Sequence, residues 1–325
     1  MRVLLVFYFV SFGTVACSPN LKGPFFWKAE KNGKTIHILG TIHVGVGLED
    51  LQCHQVISDS LGQSALLWTE TDIKRQQELL QTAVSALVMN PSGHSFKSLN
   101  EESQNFFKTK AGQDNSITQL SYFGFLGYLN SICLIEHKKF LKERLGSFQN
   151  NQTSLDVQIQ QLAQTKNIAQ DYLDEEDYIP ELIRSNVGKI SKEQVEKAVR
   201  EYSRNCQQEK IAKALEDQFE TMEDIMQKYK NGDSFDLLEI DEQNFKQQGW
   251  TEEMLKDYRD NVRHNLLRKR NEVWLKKLLS THVEGNANMF VAGGLAHFQG
   301  SYNVLNKLKE NGFSVKRFNS DCKAE

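Results

Sequence analysis

The sequence predicts an α/β fold: a mixed sheet assembled from strands near both ends of the chain, with a long helical insertion forming a lid or subdomain. Three observations lead there. Two strand-like runs flank Asn32-Gly33, and a further apolar run, SALLWTETD, follows at 64–72. From about 73 to 285 the apolar residues recur at helical spacing instead. Strand character then returns at 288–300 and 313–318. End strands that must pair with each other place the helical stretch inside one domain, spanning about 24–320, rather than between two tandem ones.

Taken in order, the chain opens with MRVLLVFYFVSFGTVACSPN. Arg2 is a positive flank, Val3 to Val10 an apolar stretch, and small residues lead to Cys17. A membrane span needs about 20 apolar residues, so this shorter run reads as a secretory signal over 1–17. TVAC is similar to the bacterial lipobox, whose cysteine becomes the lipidated first residue of the mature protein. Thr14 stands where that pattern favours leucine, and ordinary cleavage nearby is the alternative. The expectation is an exported bacterial protein of the periplasm or cell envelope, held at the membrane through Cys17 if it is lipidated.

FFWKAEKNGKTIHILG reads as a hairpin, since Asn-Gly favours a tight primed turn. The run at 64–72 is a central strand whose end carries Glu70 and Asp72. Within the helical stretch the clearest piece covers 192–230, where Ala212, Leu215, Phe219, Met222, Met226 and Tyr229 form a core-facing stripe. After the strand at 288–300 comes a helix marked by Val304, Leu305 and Leu308 and closed by Gly312, then a last strand, FSVKRF.

Bulk composition excludes some partners. The chain has 325 residues, 25% of them charged, and a formal net charge of −3, so nothing favours nucleic acid. Four prolines and no low-complexity tract argue against long disordered linkers. Beyond Cys17, Cys53, Cys133, Cys206 and Cys322 permit two bridges in an oxidising compartment or four buried thiols, with the pairing open.

The chemistry lies in a repeated pattern. ILGTIHVG and VAGGLAHFQG each set an apolar strand before Gly-x-x-His, as Gly40 with His43 and Gly294 with His297. A glycine there lets the backbone leave the sheet sharply, and the histidine three residues on leans back over the strand end. In open α/β sheets ligands bind at that edge, so two such turns aim two imidazoles into one crevice, with Glu70 at the end of a third strand. Two histidines and a carboxylate are a donor set for a catalytic divalent metal (Mn, Co, Zn or Fe), or, without metal, a base and polarising groups for water. The other histidines carry less. His37 lies within a strand and reads as sheet packing, while His54, His94, His137, His264 and His282 sit in polar surroundings that fit solvated roles.

With those motifs, the carboxylate in LLWTETD and the closing RN…FVAGGLAHFQG…VLNKLKENGFSVKRF, the chain resembles the TraB/GumN family. That family includes the TIKI-type metalloproteases and is related in fold to the erythromycin esterases and ChaN-like haem-binding lipoproteins. The resemblance covers about 26–72 and 262–318, and TSLDVQIQQLAQTKNIAQDYLDEEDYI (153–179) is similar to the family's central segment, an Asp before a helix, then a short strand and an acidic stretch. It implies metal ligands His43, Glu70 and His297, with Arg270, Asn271 and Asp156 steadying the site or engaging substrate. Leu295 and Ala296 depart from the small residues and glycine that many members place before the second histidine. Helical spacing puts Arg270 in line with Val262, Leu266 and Val273, and Asn271 with Trp274, Leu275 and Leu278, so both polar groups point where apolar ones are expected. A buried guanidinium needs a partner, and Asp156, Asp72 or a substrate carboxylate is expected to supply it. The functional expectation is a hydrolase cleaving a peptide or related amide or ester bond of a peptide or small-molecule substrate. The alternative is a surface lipoprotein that binds a haem-like ligand without catalysis.

Overall fold

The computed structural model describes residues 22–42, 45–72, 78, 81, 84–90, 92–145, 154–175, 178, 190–233, 235–247, 251–260, 267–281, 288–300 and 302–325. The signal segment, Cys17, His43, His264 and His282 lie outside the described residues.

Strand β1 (Phe26–Lys31) turns through Asn32 and Gly33, whose φ angles of 50° and 80° are those of a primed turn, into β2 (Lys34–Thr41). Next come β3 (Ser64–Thr69), β4 (Ala169–Tyr172), β5 (Asn288–Gly294) and β6 (Ser314–Arg317). The sheet order is β4-β3-β5-β2-β1-β6. β1 pairs antiparallel with β2 and β6, while β2, β5, β3 and β4 run parallel, so the sheet is mixed. The N- and C-terminal strands do form its centre: Gly40 pairs with Gly293, Thr41 with Gly294, and Thr69 with Ala292. Three parallel strands therefore end side by side at one carboxyl edge.

The fourth parallel strand comes from the middle of the chain. β4 is four residues of AQDY with alternating exposed and half-buried positions, too short and polar for its sequence pattern to stand out. It follows the helix Leu155–Thr165, which buries Leu155, Ile159 and Ala163. The stretch at 73–285 is accordingly divided. Residues 74–149 and 176–221 make one compact unit, and 150–175 and 222–325 join the sheet in the other.

In the sheet unit Ile36, Ile38, Leu39, Leu67, Phe290 and Val291 are wholly buried, and Cys53 is disulfide-bonded to Cys322. The helical unit has its own core around Phe107, Phe125, Leu129 and Val195 and holds the Cys133–Cys206 disulfide. No helix among the described residues is long and apolar enough to cross a membrane. Along the helix Gln208–Lys230, Ala212 and Tyr229 of the expected stripe are buried, while Leu215, Phe219, Met222 and Met226 are half-buried.

His37 is a sheet-packing residue. It is 7% exposed and stacked on Phe26 with ring centroids 5.8 Å apart. Its Nδ1 has no hydrogen-bond partner among the described residues. Burial, helped by the Lys28 charge and opposed by Glu30, lowers its pKa from 6.5 to about 4. The folded state therefore resists protonation, so the neutral ring's contribution is complete above the unfolded pKa and is lost as pH falls from about 6.5 toward 4. We expect stability to drop by roughly 2 kcal/mol across that window from this residue alone. Denaturation curves at stepped pH should show a flatter acid limb for His37→Phe; an unchanged limb would assign the loss elsewhere.

Candidate active site

The carboxyl edge of β2, β5 and β3 is built by close backbone approach. Glu70 follows β3 directly, and its Oε1 accepts the backbone N–H of Gly294 at the end of β5. At Gly293 a β-carbon would lie 3.0 Å from two ring carbons of Trp274. That is tighter than ordinary side-chain packing, so any larger residue here would require the fully buried indole to move back by a few tenths of an ångström.

Trp274 belongs to the helix Lys269–Ser280, which delivers most of the polar groups. Lys34 steadies the C-terminal end of this helix, its Nζ donating to the carbonyls of Leu278 at 2.7 Å and Thr281 at 2.9 Å. At the opposite end Arg270 and Asn271 are 8% and 4% exposed. The inward orientation expected of both is observed. Arg270 Nε donates to Asp174 Oδ1 at 2.9 Å, and one terminal nitrogen donates to Asp174 Oδ2 at 2.6 Å and to Glu70 Oε2. Burial opposes the guanidinium charge, but Glu70 and Asp174 outweigh it and hold its pKa above the ordinary arginine range.

Asp174 corrects the expected pairing. Asp156, Asp72 or a substrate carboxylate was the partner anticipated for Arg270, whereas Asp174 and Glu70 hold it. Asp174 has a side chain 1% exposed, and it also accepts the Trp274 indole N–H at 2.7 Å. The physical reason is the β4 pairing. The ladder continues past the strand, with Leu173 N–H donating to Thr69 O and Asp174 N–H to Glu70 O, so the two carboxylates emerge from neighbouring strand ends. Within the acidic run DYLDEED no periodicity singles out Asp174. The available signal was the one that found Glu70, a carboxylate just after a parallel strand.

His297 lies in the short turn Leu295–Phe298 that follows β5 and is 3% exposed. Its imidazole stacks on Trp274, centroids 3.9 Å apart at 26°. Its Nδ1 is 2.5 Å from Asn271 Oδ1. The amide of Asn271 is oriented from its other side, because Nδ2 donates to the Tyr302 carbonyl at 2.9 Å, and a carbonyl only accepts. Oδ1 must therefore face the ring, and since it too only accepts, Nδ1 carries the proton. In the neutral ring Nε2 is left with the lone pair, and it points toward Glu70 Oε1 at 4.0 Å. A single divalent ion about 2.0–2.2 Å from each donor spans that gap. The donor set also suits such an ion: one imidazole nitrogen with its tautomer set, and one carboxylate whose orientation is held by Arg270 and Gly294.

Asp156 sits at the end of β2. It is 8% exposed and accepts from Thr41 Oγ1 at 2.6 Å. Two residues on, Gln158 Oε1 accepts the Leu48 N–H at 2.9 Å, so the helix Leu155–Thr165 grips the chain on both sides of 43–44. Tyr229 adds a third hold, its hydroxyl donating to the Gly40 carbonyl at 2.5 Å. Burial and then the Asp156 charge raise the Tyr229 pKa well above 10 and keep it a donor. Glu70, Arg270, Asn271, His297 and Gly294 thus converge, joined by the unforeseen Asp174 and Trp274, and Asp156 with Gly40 fixes the neighbouring strand end. Of the remaining histidines, His54 and His94 are exposed as expected, and His137 is half-buried with Nε2 at 3.2 Å from the Cys206 carbonyl.

A family model described as TraB/PrgY/gumN family matches residues 25–317. Comparison with curated proteins and with solved structures returned no match.

Proposed function

This chain belongs to the TraB/PrgY/gumN family, and from that premise we propose that it is a metal-dependent hydrolase of peptide, or related amide or ester, bonds. The observation that carries the reading is His297: Asn271 holds the proton on Nδ1, so Nε2 offers its lone pair beside Glu70. His43, two residues beyond the end of β2, completes the donor set in this reading. A divalent ion (Mn, Co, Zn or Fe) bound there would lower the pKa of a coordinated water toward neutrality and polarise a carbonyl.

The chain's own groups prepare that chemistry. Arg270 holds one Glu70 oxygen and Gly294 N–H the other, which keeps the carboxylate aimed. Trp274 covers one face of the His297 ring and excludes water from it. Asp156 and Thr41 hold the strand end from which His43 departs. Export, with Cys17 as a lipid anchor in the bacterial envelope, belongs to the same reading and is supported by the two disulfides, which persist in oxidising compartments.

Elemental analysis of the purified mature protein, beside His43→Ala and His297→Ala, tests the site. One transition metal per chain, lost in both variants, is the expected result. Metal retained in both removes these residues from coordination, and hydrolysis that survives complete chelation overturns the metal's role.

A further inference from the structure

The helical unit contains a second donor cluster that the hydrolase reading does not use. Cys133, His137 and Cys206 each place one ligand atom within 4.8 Å of the others. Cys133 and His137 are four residues apart at the end of the helix Tyr122–Glu136, a spacing that sets both side chains on one face. Cys206 caps the turn Tyr202–Asn205, with its Cα 5.6 Å from that of Cys133. Glu136 is alongside, its Oε2 3.8 Å from Cys206 Sγ and accepting from Tyr202 at 2.8 Å. Both sulfurs are nearly buried, at 1% and 9% residue exposure.

A disulfide needs no imidazole, and while it is intact neither sulfur is a thiolate able to ligate. We infer that Cys133, Cys206 and His137 form a redox-gated site: a covalent staple when oxidised, and a site for a thiophilic divalent cation of the zinc type when reduced. Two sulfurs and one imidazole nitrogen are the donors such ions prefer, and the fourth position falls to Glu136 or water. The step balances. A dithiol reductant gives two electrons and two protons to the Cys133–Cys206 bond and itself closes to a disulfide. The cation then displaces both thiol protons to solvent and binds two thiolates and neutral His137. In either state Cys133 and Cys206 tie the helix Tyr122–Glu136 to the turn that precedes Gln208–Lys230.

The test uses the full mature chain, reduced with a phosphine that is then removed under inert gas, and titrated with Co²⁺ as the probe. The expected result is one Co²⁺ per chain with a sulfur-to-metal charge-transfer band, displaced by Zn²⁺. The band should be lost in Cys133→Ser and in Cys206→Ser, and its ligand-field pattern altered in His137→Ala, which keeps both sulfurs. The oxidised chain should show no such band. The inference is overturned by a reduced chain without charge transfer, or by a band that survives Cys133→Ser and so belongs to Cys53 and Cys322. Circular dichroism covers unfolding on reduction: helicity recovered with the cation supports the site, and helicity that stays lost in its presence overturns it. The thiolate signature is independent of His43, Glu70 and His297, so failure here and failure of the hydrolase reading are distinguishable.

Discussion

Replacing Asp174 with alanine is expected to lower the unfolding free energy by about 3–5 kcal/mol, the cost of breaking a buried ion pair from one side. Asp174 accepts two bonds from Arg270 and one from Trp274, with a side chain 1% exposed. Alanine leaves the guanidinium with Glu70, whose side chain is 16% exposed, and strands the indole N–H in the core. The loss should also be non-additive. Once Arg270 is methionine, Asp174→Leu should cost far less than it does alone, because the charge that needed a partner has gone. Urea unfolding under oxidising conditions measures both. A loss under about 1 kcal/mol for Asp174→Ala, or strict additivity in the double variant, would show that this pair contributes no more than a surface ion pair.

Asn271→Ala is expected to weaken metal retention at the proposed site by about 10–100-fold, the usual consequence of losing the group that orients a ligating histidine. Asn271 Oδ1 is the acceptor that holds the His297 proton on Nδ1. Without it the ring populates the other tautomer, in which Nε2 carries hydrogen and cannot donate a lone pair. Asn271→Asp separates tautomer control from simple packing. It keeps an acceptor at Nδ1, adds a charge that makes the ring more basic, and should restore binding while moving the imidazole titration upward. Metal affinity by competition with a chelating dye, and imidazole titration by NMR of the metal-stripped protein, provide the two readouts. Equal affinity in Asn271→Ala and the unaltered protein would rule out Asn271 as the orienting group.

Much of this was legible before any coordinates. The Asn32-Gly33 hairpin, the strand that ends just before Glu70 and the Val304–Glu310 helix follow from local rules that act over a few residues. The repeated Gly-x-x-His placed His297 correctly at a strand end. Helical phase showed that Arg270 and Asn271 face inward. Their partners escaped for a definite reason. Asp174 is one of several carboxylates in a short acidic run, and only the pairing of β4 with β3 separates it from its neighbours. Trp274 enters the sequence pattern only as an apolar position in line with Asn271, and its place under the His297 ring, close against Gly293 of β5, is a long-range contact.

What the amino-acid sequence determined by itself is the set of local elements and the types of donor they carry, because periodicity, turn chemistry and strand-end glycines act between near neighbours in the chain. The tertiary structure alone decided adjacency: strand order, the Cys53–Cys322 and Cys133–Cys206 pairing, and the carboxylates that hold Arg270. Among those contacts the Cys53–Cys322 bridge alone joins residues 269 positions apart. Core packing selects them cooperatively, and no local pattern in the chain encodes which distant group will satisfy a buried charge.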